Sequence, residues 1–243
     1  MTAPSVTRGN KLYEGKAKQV YATDQEGMVI IHFKDDATAF NGVKFDRFAD
    51  KGRINCAITA HLFDGLAERG VKSHMVARVS DNELLCRQVE IIPVEVVVRN
   101  IAAGSYARRY GIEDGTPMEE PLVELFYKSD ELNDPLCTEE IAVRLGWAKR
   151  WEIAAMSEQA LVVNDYLRAF WSDLGIDLVD FKLEFGRDDG RVVLADEITP
   201  DGSRLWERGT GRHFDKDVFR KDLGDLTETY RALHARIFGE GSG

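Results

Sequence analysis

The segment of residues 179–204, VDFKLEFGRDDGRVVLADEITPDGSR, constrains the fold more than any other part of the chain. It reads as a strand, a turn containing Gly190 and a second strand, and this pattern predicts a β-hairpin. Successive side chains of a strand point to opposite faces, so Asp180, Lys182 and Glu184 share one face and apolar residues share the other. The apolar face is ordinary, whereas a face that alternates acid, base and acid calls for a functional explanation.

The length of the turn decides which residues meet across this hairpin. A loop of three residues, 189–191, would place Glu184 opposite Asp196, and directly opposed carboxylates are unfavourable unless a cation such as Mg²⁺ binds them. A loop of two residues would instead place Lys182 opposite Glu197 as an ordinary salt bridge. The residues themselves leave both registers open.

The composition excludes several classes of protein. Hydrophobic residues make up 44% of the 243 positions, which is enough for a packed core. No segment approaches the roughly 20 consecutive apolar residues of a membrane span. The net charge of -10 argues against general binding to nucleic acid or to anionic membranes. The cysteines are widely spaced and form no CxxC, so we predict a cytoplasmic globular protein without disulfides or structural zinc.

The order of the predicted elements indicates a segregated α+β fold. The first third of the chain is β-rich, and apolar residues that repeat every four positions in KGRINCAITAHLFDGLAERG predict a helix packed on an antiparallel sheet. Later helices are predicted to begin after Thr138 and at Ser157. At Pro93 the β-rich first part of the chain ends and a mixture of predicted helices and strands begins. We therefore predict a mostly antiparallel N-terminal lobe at 1–92 and a larger α+β lobe at 93–243.

Two glycine-containing loops are candidate anion sites. In YEGKAKQVY, Gly15 lets backbone N–H groups approach a phosphate, and Lys16 and Lys18 supply positive charge. In PVEVVVRNIAAGSYARRYG, Arg99 and Ser105 flank a small-residue loop that leads into a helix, which suits a phosphate or a carboxylate. Each loop also has a plain structural explanation, a solvated hairpin for the first and a helix N-cap for the second.

Five motifs occur in a recognisable order, namely YEGKAKQVY, DDATAFNG, PVEVVVRNIAAGS, VDFKLEFG and DEITPDGSRLW. In order and spacing they resemble the SAICAR synthetase family of purine biosynthesis, from about Lys11 to Arg220. That family joins the carboxylate of 5-amino-1-(5-phospho-D-ribosyl)imidazole-4-carboxylate (CAIR) to the amine of L-aspartate and converts ATP to ADP and phosphate. The resemblance implies this reaction, through an acyl phosphate, in two α+β lobes with an ATP cleft between them, distantly like kinases and ATP-grasp enzymes. It also implies that the lobe at 1–92 binds the nucleotide and that the lobe at 93–243 binds the substrates and the metal.

The resemblance also implies an ATP site, a metal site and a catalytic set. The residues implied to bind ATP are Lys16, Ala17 and Lys18 near the phosphates, Val89, Ile91 and Ile92 beside the adenine, and Glu184 and Asp196. Glu184 and Asp196 match the Mg²⁺-binding carboxylates of the family, which favours the three-residue loop of the hairpin. With Glu184 on the metal, Lys182 would counter phosphate or carboxylate charge, and Asp180 would orient a donor on the substrate.

The substrate site implied by the resemblance draws on several parts of the chain. The residues implied to hold the substrates are Arg99, Ser105, Lys128, Asp201, Arg204 and Arg220. Asp134 and Asn41 fall at family positions to which we assign no role. The implied partners are ATP, CAIR and L-aspartate, with Mg²⁺ as the cofactor, and family members form homo-oligomers, commonly dimers. Two alternatives are a small-molecule kinase, in which ADP release does not depend on aspartate, and a nucleotide sensor without turnover.

Overall fold

The structure is a computed structural model that describes residues 6–39 and 42–239. Asn41 lies outside these ranges. The strands are β1 (Arg8–Glu14), β2 (Lys18–Thr23), β3 (Met28–Phe33), β4 (Asp36–Ala39), β5 (Lys44–Arg47), β6 (Met75–Ser80), β7 (Glu83–Arg87), β8 (Glu90–Ile91), β9 (Val94–Ile101), β10 (Pro117–Tyr127), β11 (Leu136–Cys137), β12 (Ile176–Asp188), β13 (Arg191–Ala195) and β14 (Ser203–Glu207). The helices are α1 (Lys51–Ala67), α2 (Gly104–Tyr110), α3 (Glu139–Arg144), α4 (Arg150–Asp173), α5 (Asp217–Arg220) and α6 (Leu226–Phe238), with a 3-10 turn at Asp130–Leu132.

The chain divides into two compact units, Met1–Glu90 with Asp217–Gly243, and Ile91–Lys216. The predicted boundary at residue 92 lies close to the first division, but the prediction placed the C-terminal segment with the second lobe. This segment groups with the first unit because α6 packs on α1 and Arg231 forms an ion pair with Asp50. The assignment of separate binding roles to the two lobes stays a prediction.

The first unit is built on a five-stranded antiparallel sheet in the order β1-β2-β3-β7-β6, with β4 and β5 as a separate hairpin. The predicted helix forms as α1, and its repeating residues Ile54, Ile58, Leu62 and Leu66 are all buried. The helix approaches β3 closely at Gly52, where an added Cβ would lie 2.9 Å from the carbonyl carbon of Phe33. The prediction of a helix on an antiparallel sheet is confirmed.

The second unit is a seven-stranded antiparallel sheet with the path β11-β10-β9-β12-β13. The long strand β12 pairs with β14 and β9 along its first part and with β13 along its last part. Helix α4 packs on this sheet, and Ile153, Met156, Ala160, Val163 and Leu167 are buried. The α+β class predicted from the sequence is confirmed. Among the described residues, no helix combines the length and apolar character that a membrane span requires.

The hairpin of β12 and β13 has the two-residue loop, so the three-residue register favoured by the resemblance is wrong. Asp188 pairs with Arg191, and Glu184 therefore pairs with Ala195 instead of Asp196. The turn residues Asp189 and Gly190 have φ angles of 48° and 76°. Two successive positive φ angles match the right-handed twist of the strands, which explains why a tight Asp-Gly turn is preferred here.

Lys182 does not use the salt bridge that the two-residue register offered with Glu197. The pairing of β12 with β13 ends at Glu184, and Lys182 instead lies opposite Val97 of β9. The chain leaves the ladder at this point because Asp196 adopts a positive φ of 59°. On the polar face of β12, Asp180 therefore pairs with Arg99 and Lys182 pairs with Glu95, both of which lie on β9.

Candidate active site

A row of charged side chains covers one face of the sheet in the second unit. Asp180 lies opposite Arg99 in the β9–β12 ladder, and residues directly opposite in antiparallel strands share a face. Alternation along the strands brings Lys182, Glu184 and Glu95 to the same face. Phe181, Leu183 and Phe185 point the other way and are buried. The acid–base–acid pattern of β12 therefore forms a single charged surface, as the sequence predicted.

The first group on this face, which we call the arginine cluster, consists of Arg99, Arg109, Glu124, Asp180 and Arg204. Asp180 accepts hydrogen bonds from Arg99 Nη1 at 2.7 Å and from Arg204 Nη1 at 2.8 Å. Arg99 Nε donates to Glu124 Oε2 at 2.5 Å, and Arg109 pairs with the same carboxylate. Burial raises the pKa of Asp180, and the charges of Arg204 and Arg99 oppose that rise. Every arginine of the cluster pairs with a carboxylate, and three arginines against two carboxylates give the cluster a formal charge of +1.

The second group, the lysine cluster, consists of Glu95, Lys128, Lys182 and Glu184. Lys182 Nζ donates to Glu95 Oε1 at 2.5 Å and to Glu184 Oε1 at 3.0 Å. Lys128 Nζ donates to Glu184 Oε1 at 2.6 Å and lies 3.8 Å from Glu95 Oε1. The side chains of Glu95 and Glu184 are only 8% and 5% exposed. Two buried carboxylates thus share two ammonium groups.

The carboxylates of the lysine cluster raise the pKa of both of its ammonium groups. Burial acts to lower the pKa of the Lys182 ammonium, but Glu184, Glu95 and Asp196 outweigh it and raise this pKa. The pKa of Lys128 is raised in the same way, because burial is outweighed by Glu184 and, to a smaller extent, by Asp196. Glu184 and Asp196 therefore both favour the charged form of these two lysines even though they are not paired across the hairpin.

Gly104 makes room for Arg204 at the edge of the arginine cluster. Its φ is 58°, and an added Cβ would lie 2.7 Å from Arg204 Cζ. Its backbone N–H donates to Asp114 Oδ1 at 3.0 Å. Ser105 is exposed in the first turn of α2, and Ala103 occupies the N-cap position, so the N-cap explanation of Ser105 does not apply. Asp201 is half-buried in the turn that precedes β14.

Apart from Glu184 and Asp196, the residues implied to bind ATP lie in the first unit or at the start of the second. In the turn between β1 and β2, the Gly15 N–H donates to the Lys18 carbonyl at 2.8 Å, and the Ala17 carbonyl accepts from the Lys34 N–H at 2.8 Å. Ile92 is fully buried, whereas Ile91 is exposed.

Two further implied residues are tied down by nearby groups. Arg220, in α5 of the first unit, donates to Asp217 Oδ1 at 2.8 Å. In the second unit, Asp134 accepts from the Ser129 N–H at 2.9 Å and so closes the turn after Lys128.

Sequence reasoning missed three charged residues of the site, Glu95, Glu124 and Arg109. Glu95 and Arg99 are the charged residues of the Val-rich strand VEVVVRN and are four positions apart, so they share a face. Glu124 interrupts the apolar run LVELF of β10 in the same way. A charged residue inside an apolar strand was the available signal, because burial of a charge requires a partner.

Fixed cations and buried carboxylates on one face of an antiparallel sheet are typical of an enzyme that acts on anionic substrates. The family model of SAICAR synthetase matches residues 11–237. The chain therefore belongs to the SAICAR synthetase family.

Similar proteins agree with this assignment. The chain is 54% identical over 229 residues to a phosphoribosylaminoimidazole-succinocarboxamide synthase of Anoxybacillus flavithermus, covering 94% of this chain and 95% of the relative. The corresponding synthase of Lysinibacillus sphaericus is 49% identical, with 97% and 100% covered.

Solved structures also match over nearly the full length. A SAICAR synthetase in complex with ADP superposes with a TM-score of 0.91 at 46% identity, covering 94% of this chain and 97% of that chain. The phosphoribosylaminoimidazole-succinocarboxamide synthase of Ehrlichia chaffeensis gives a TM-score of 0.91 at 40% identity, with 94% and 98% covered.

Proposed function

We propose that the charged face of the second unit carries out the ATP-dependent ligation of CAIR to L-aspartate, which yields SAICAR, ADP and phosphate. The observation that supports this proposal is the succession of Asp180, Lys182 and Glu184 along one face of β12, each paired with an opposite charge. A reaction among three anions needs cations that are already in place. The arginine and lysine clusters supply them.

The chemistry requires that the carboxylate of CAIR first becomes an electrophile. A carboxylate oxygen attacks the γ-phosphorus of ATP, the bond to the bridging oxygen breaks, and ADP leaves. The aspartate nitrogen then attacks the acyl carbon, the bond from carbon to the phosphate oxygen breaks, and phosphate leaves as the amine loses a proton. The protein's contribution to both steps is positioning and stabilisation of charge.

The donor set around Glu184 fits a Mg²⁺ ion. Glu184 and Asp196 offer carboxylate oxygens, which are the ligands that Mg²⁺ prefers, and both act on the same two lysines. We assign these two residues to the metal, which when bound would neutralise phosphate charge. Lys128 and Lys182 would then be released from Glu184 to face an anionic group of the substrates.

The arginine cluster would hold the ribonucleotide. The side chain of Arg204 is 19% exposed, whereas that of Arg99 is 3% exposed and already bound to two carboxylates. Arg204 is therefore the better candidate for direct contact with an anion, and Arg99 would support it through Asp180. This assigns Asp180 to holding the arginines instead of orienting a donor on the substrate. Ser105, Asp201, Lys128 and Arg220 remain as proposed contributors to the substrate site.

The first unit would provide the phosphate contacts of ATP. Lys16, Ala17 and Lys18 lie in a turn that is closed by a backbone hydrogen bond from Gly15 to Lys18. The ammonium groups of Lys16 and Lys18 can pair with phosphates. Val89, Ile91 and Ile92 would line the adenine. A homodimer and a cytoplasmic location also stay predictions, and light scattering of the purified protein would test the first.

The experiment that tests the proposed function is coupled measurement of ADP release with CAIR, in the presence and absence of L-aspartate. We expect ADP release at a steady rate only when all three substrates are present. A small-molecule kinase would release ADP without aspartate, and a nucleotide sensor would release none. Either of these two results would contradict the proposal.

A further inference from the structure

Glu95 is a buried carboxylate on the charged face to which the reaction described above assigns no role. It lies in β9, is 6% exposed, and accepts a hydrogen bond of 2.5 Å from Lys182 Nζ. This contact is shorter than the 3.0 Å between Lys182 Nζ and Glu184 Oε1. Lys182 therefore has two carboxylate partners, and the one with the shorter contact is the one outside the proposed metal site.

The two partners of Lys182 would respond differently when a divalent cation binds. A cation on Glu184 competes with the lysines for the same carboxylate oxygens. Glu95 stands on the neighbouring strand β9, where its backbone is fixed by pairing with Phe126 in the β9–β10 ladder. It can therefore keep its hold on Lys182 while Glu184 exchanges a lysine for a metal.

The contact between Glu95 and Lys182 becomes more important when a divalent cation binds, because the formal charge of the surrounding groups changes sign. Three carboxylates, those of Glu95, Glu184 and Asp196, act on the ammonium groups of Lys128 and Lys182, so the formal charge of the group is -1. A divalent cation changes this formal charge to +1. When Glu184 binds the cation, the ammonium groups of Lys128 and Lys182 lose this carboxylate as a partner. The two ammonium groups then repel the cation and repel each other. Without Glu95, Lys182 would move toward solvent, where its long side chain is readily hydrated.

We propose that Glu95 is a positioning residue that keeps the Lys182 ammonium on the sheet face when Glu184 binds a divalent cation. The inference rests on the proposed function for its consequence in turnover, but the contact itself can be tested without turnover. Glu95 does not touch a substrate in this proposal. It acts through Lys182.

The direct test follows the ammonium group of Lys182 by NMR in protein labelled with ¹⁵N-lysine. The signal is assigned by its loss in Lys182→Gln, and it is recorded before and after addition of Mg²⁺ and ADP. We expect a protected ammonium signal that persists in the wild type and is lost on addition of Mg²⁺ and ADP in Glu95→Gln. The matched control is Glu120→Gln, which removes the same charge from an exposed position of β10 and should behave as the wild type.

The second readout is a double-mutant cycle in turnover. Glu95→Gln should lower kcat by about tenfold or more, because a displaced lysine misplaces the charge that the reaction needs. In the Lys182→Gln background, Glu95→Gln should cause little further loss. The proposal is overturned if the loss of kcat in the double variant equals the product of the losses in Glu95→Gln and Lys182→Gln. It is also overturned if Glu95→Gln behaves as Glu120→Gln in both readouts.

The outcomes separate this inference from the proposed function. If the wild type shows no aspartate-dependent release of ADP, the proposed function fails, while the NMR measurement still decides whether Glu95 holds Lys182. Glu95→Asp serves as a second variant if Glu95→Gln does not fold. It keeps the charge but shortens the side chain, so we expect a weaker ammonium signal with Mg²⁺ and ADP, and an unchanged signal would count against the proposal.

Discussion

At the scale of single residues, the charged face depends on close packing as much as on charge. Arg204 can reach Asp180 because residue 104 has no side chain and tolerates a positive φ. Arg99 is held in turn by Glu124 and Asp180. Each cation has a fixed position because a buried carboxylate defines it.

Gly104→Ala should displace the Arg204 guanidinium and raise the KM for CAIR by about tenfold or more, since charge-assisted hydrogen bonds are each worth about 1.5–3 kcal/mol. Steady-state kinetics with varied CAIR measures this change. The control is Gly111→Ala, where φ is 65° and an added Cβ meets no heavy atom within 4 Å among the described residues. It carries the same backbone strain, so an equal rise in both variants would contradict the role of Gly104.

The metal assignment predicts the behaviour of Glu184→Gln and Asp196→Asn. Each should lower kcat by about 100-fold or more, because a bound cation supplies several kcal/mol of charge stabilisation. Asparagine is the conservative choice at position 196, where φ is 59°, since it tolerates the left-handed region. Titration with Mg²⁺ should partly restore at least one variant. Normal activity of both variants in limiting Mg²⁺ would show that the metal binds elsewhere.

The sequence predicted one side of this site and missed the other. Asp180, Lys182 and Glu184 follow from alternation within a single strand, which needs only local information. Glu95, which pairs with Lys182, and Glu124, which pairs with Arg99, lie on other strands, and strand register depends on long-range pairing that the local pattern does not contain. The resemblance to a family supplied candidate roles for the matching positions, but it also favoured the wrong register of the hairpin.

At the scale of elements, α4 is joined to β12 by an ion pair that caps the helix at the same time. Arg187 Nε donates to Glu152 Oε1 at 2.7 Å, and the Lys149 N–H donates to Glu152 Oε2 at 2.7 Å. The helix therefore begins at Arg150, earlier than the start predicted at Ser157. The prediction was wrong because the cap is formed by a glutamate side chain, whereas α3 begins after Thr138 as predicted.

This ion pair predicts a pH-dependent loss of stability in Glu152→Gln. The hydrogen bond from Arg187 lowers the pKa of Glu152. The contribution of this ion pair to the free energy of unfolding is complete above the pKa of an unfolded glutamate, about 4.3. It is lost as the pH falls through the lower pKa that Glu152 has in the folded state. We expect Glu152→Gln to cost about 2 kcal/mol at neutral pH, measured by urea unfolding.

The difference between Glu152→Gln and the wild type should shrink at acid pH. The comparison variant is Glu139→Gln, which breaks an exposed ion pair with Arg150 and should not change stability measurably. A difference for Glu152→Gln that stays constant down to acid pH would show that the lost contact is packing instead of charge.

At the scale of the whole molecule, a net charge of -10 coexists with cations concentrated at a few positions. In the second unit, Arg99, Lys182 and Arg204 are all paired with carboxylates. Bound anions must therefore compete with these carboxylates or arrive with a metal.

The division of roles between the two units can be tested by kinetics. Lys16→Ala should mainly raise the KM for ATP, and Arg204→Ala should mainly raise the KM for CAIR, each by about tenfold, since each removes charge from one substrate. Lys72→Ala, which removes an exposed lysine of the first unit, should change neither. Equal effects of Lys16→Ala and Arg204→Ala on both substrates would contradict the division.

We propose that ATP phosphorylates the carboxylate of CAIR, so that a carboxylate oxygen leaves with phosphate when the amine of aspartate displaces it. The most direct measurement uses CAIR with oxygen-18 in the carboxylate and follows the isotope by mass spectrometry of the released phosphate. We expect one labelled oxygen in phosphate for each SAICAR formed from fully labelled carboxylate. Phosphate without label during confirmed, aspartate-dependent turnover would contradict activation of the carboxylate by ATP.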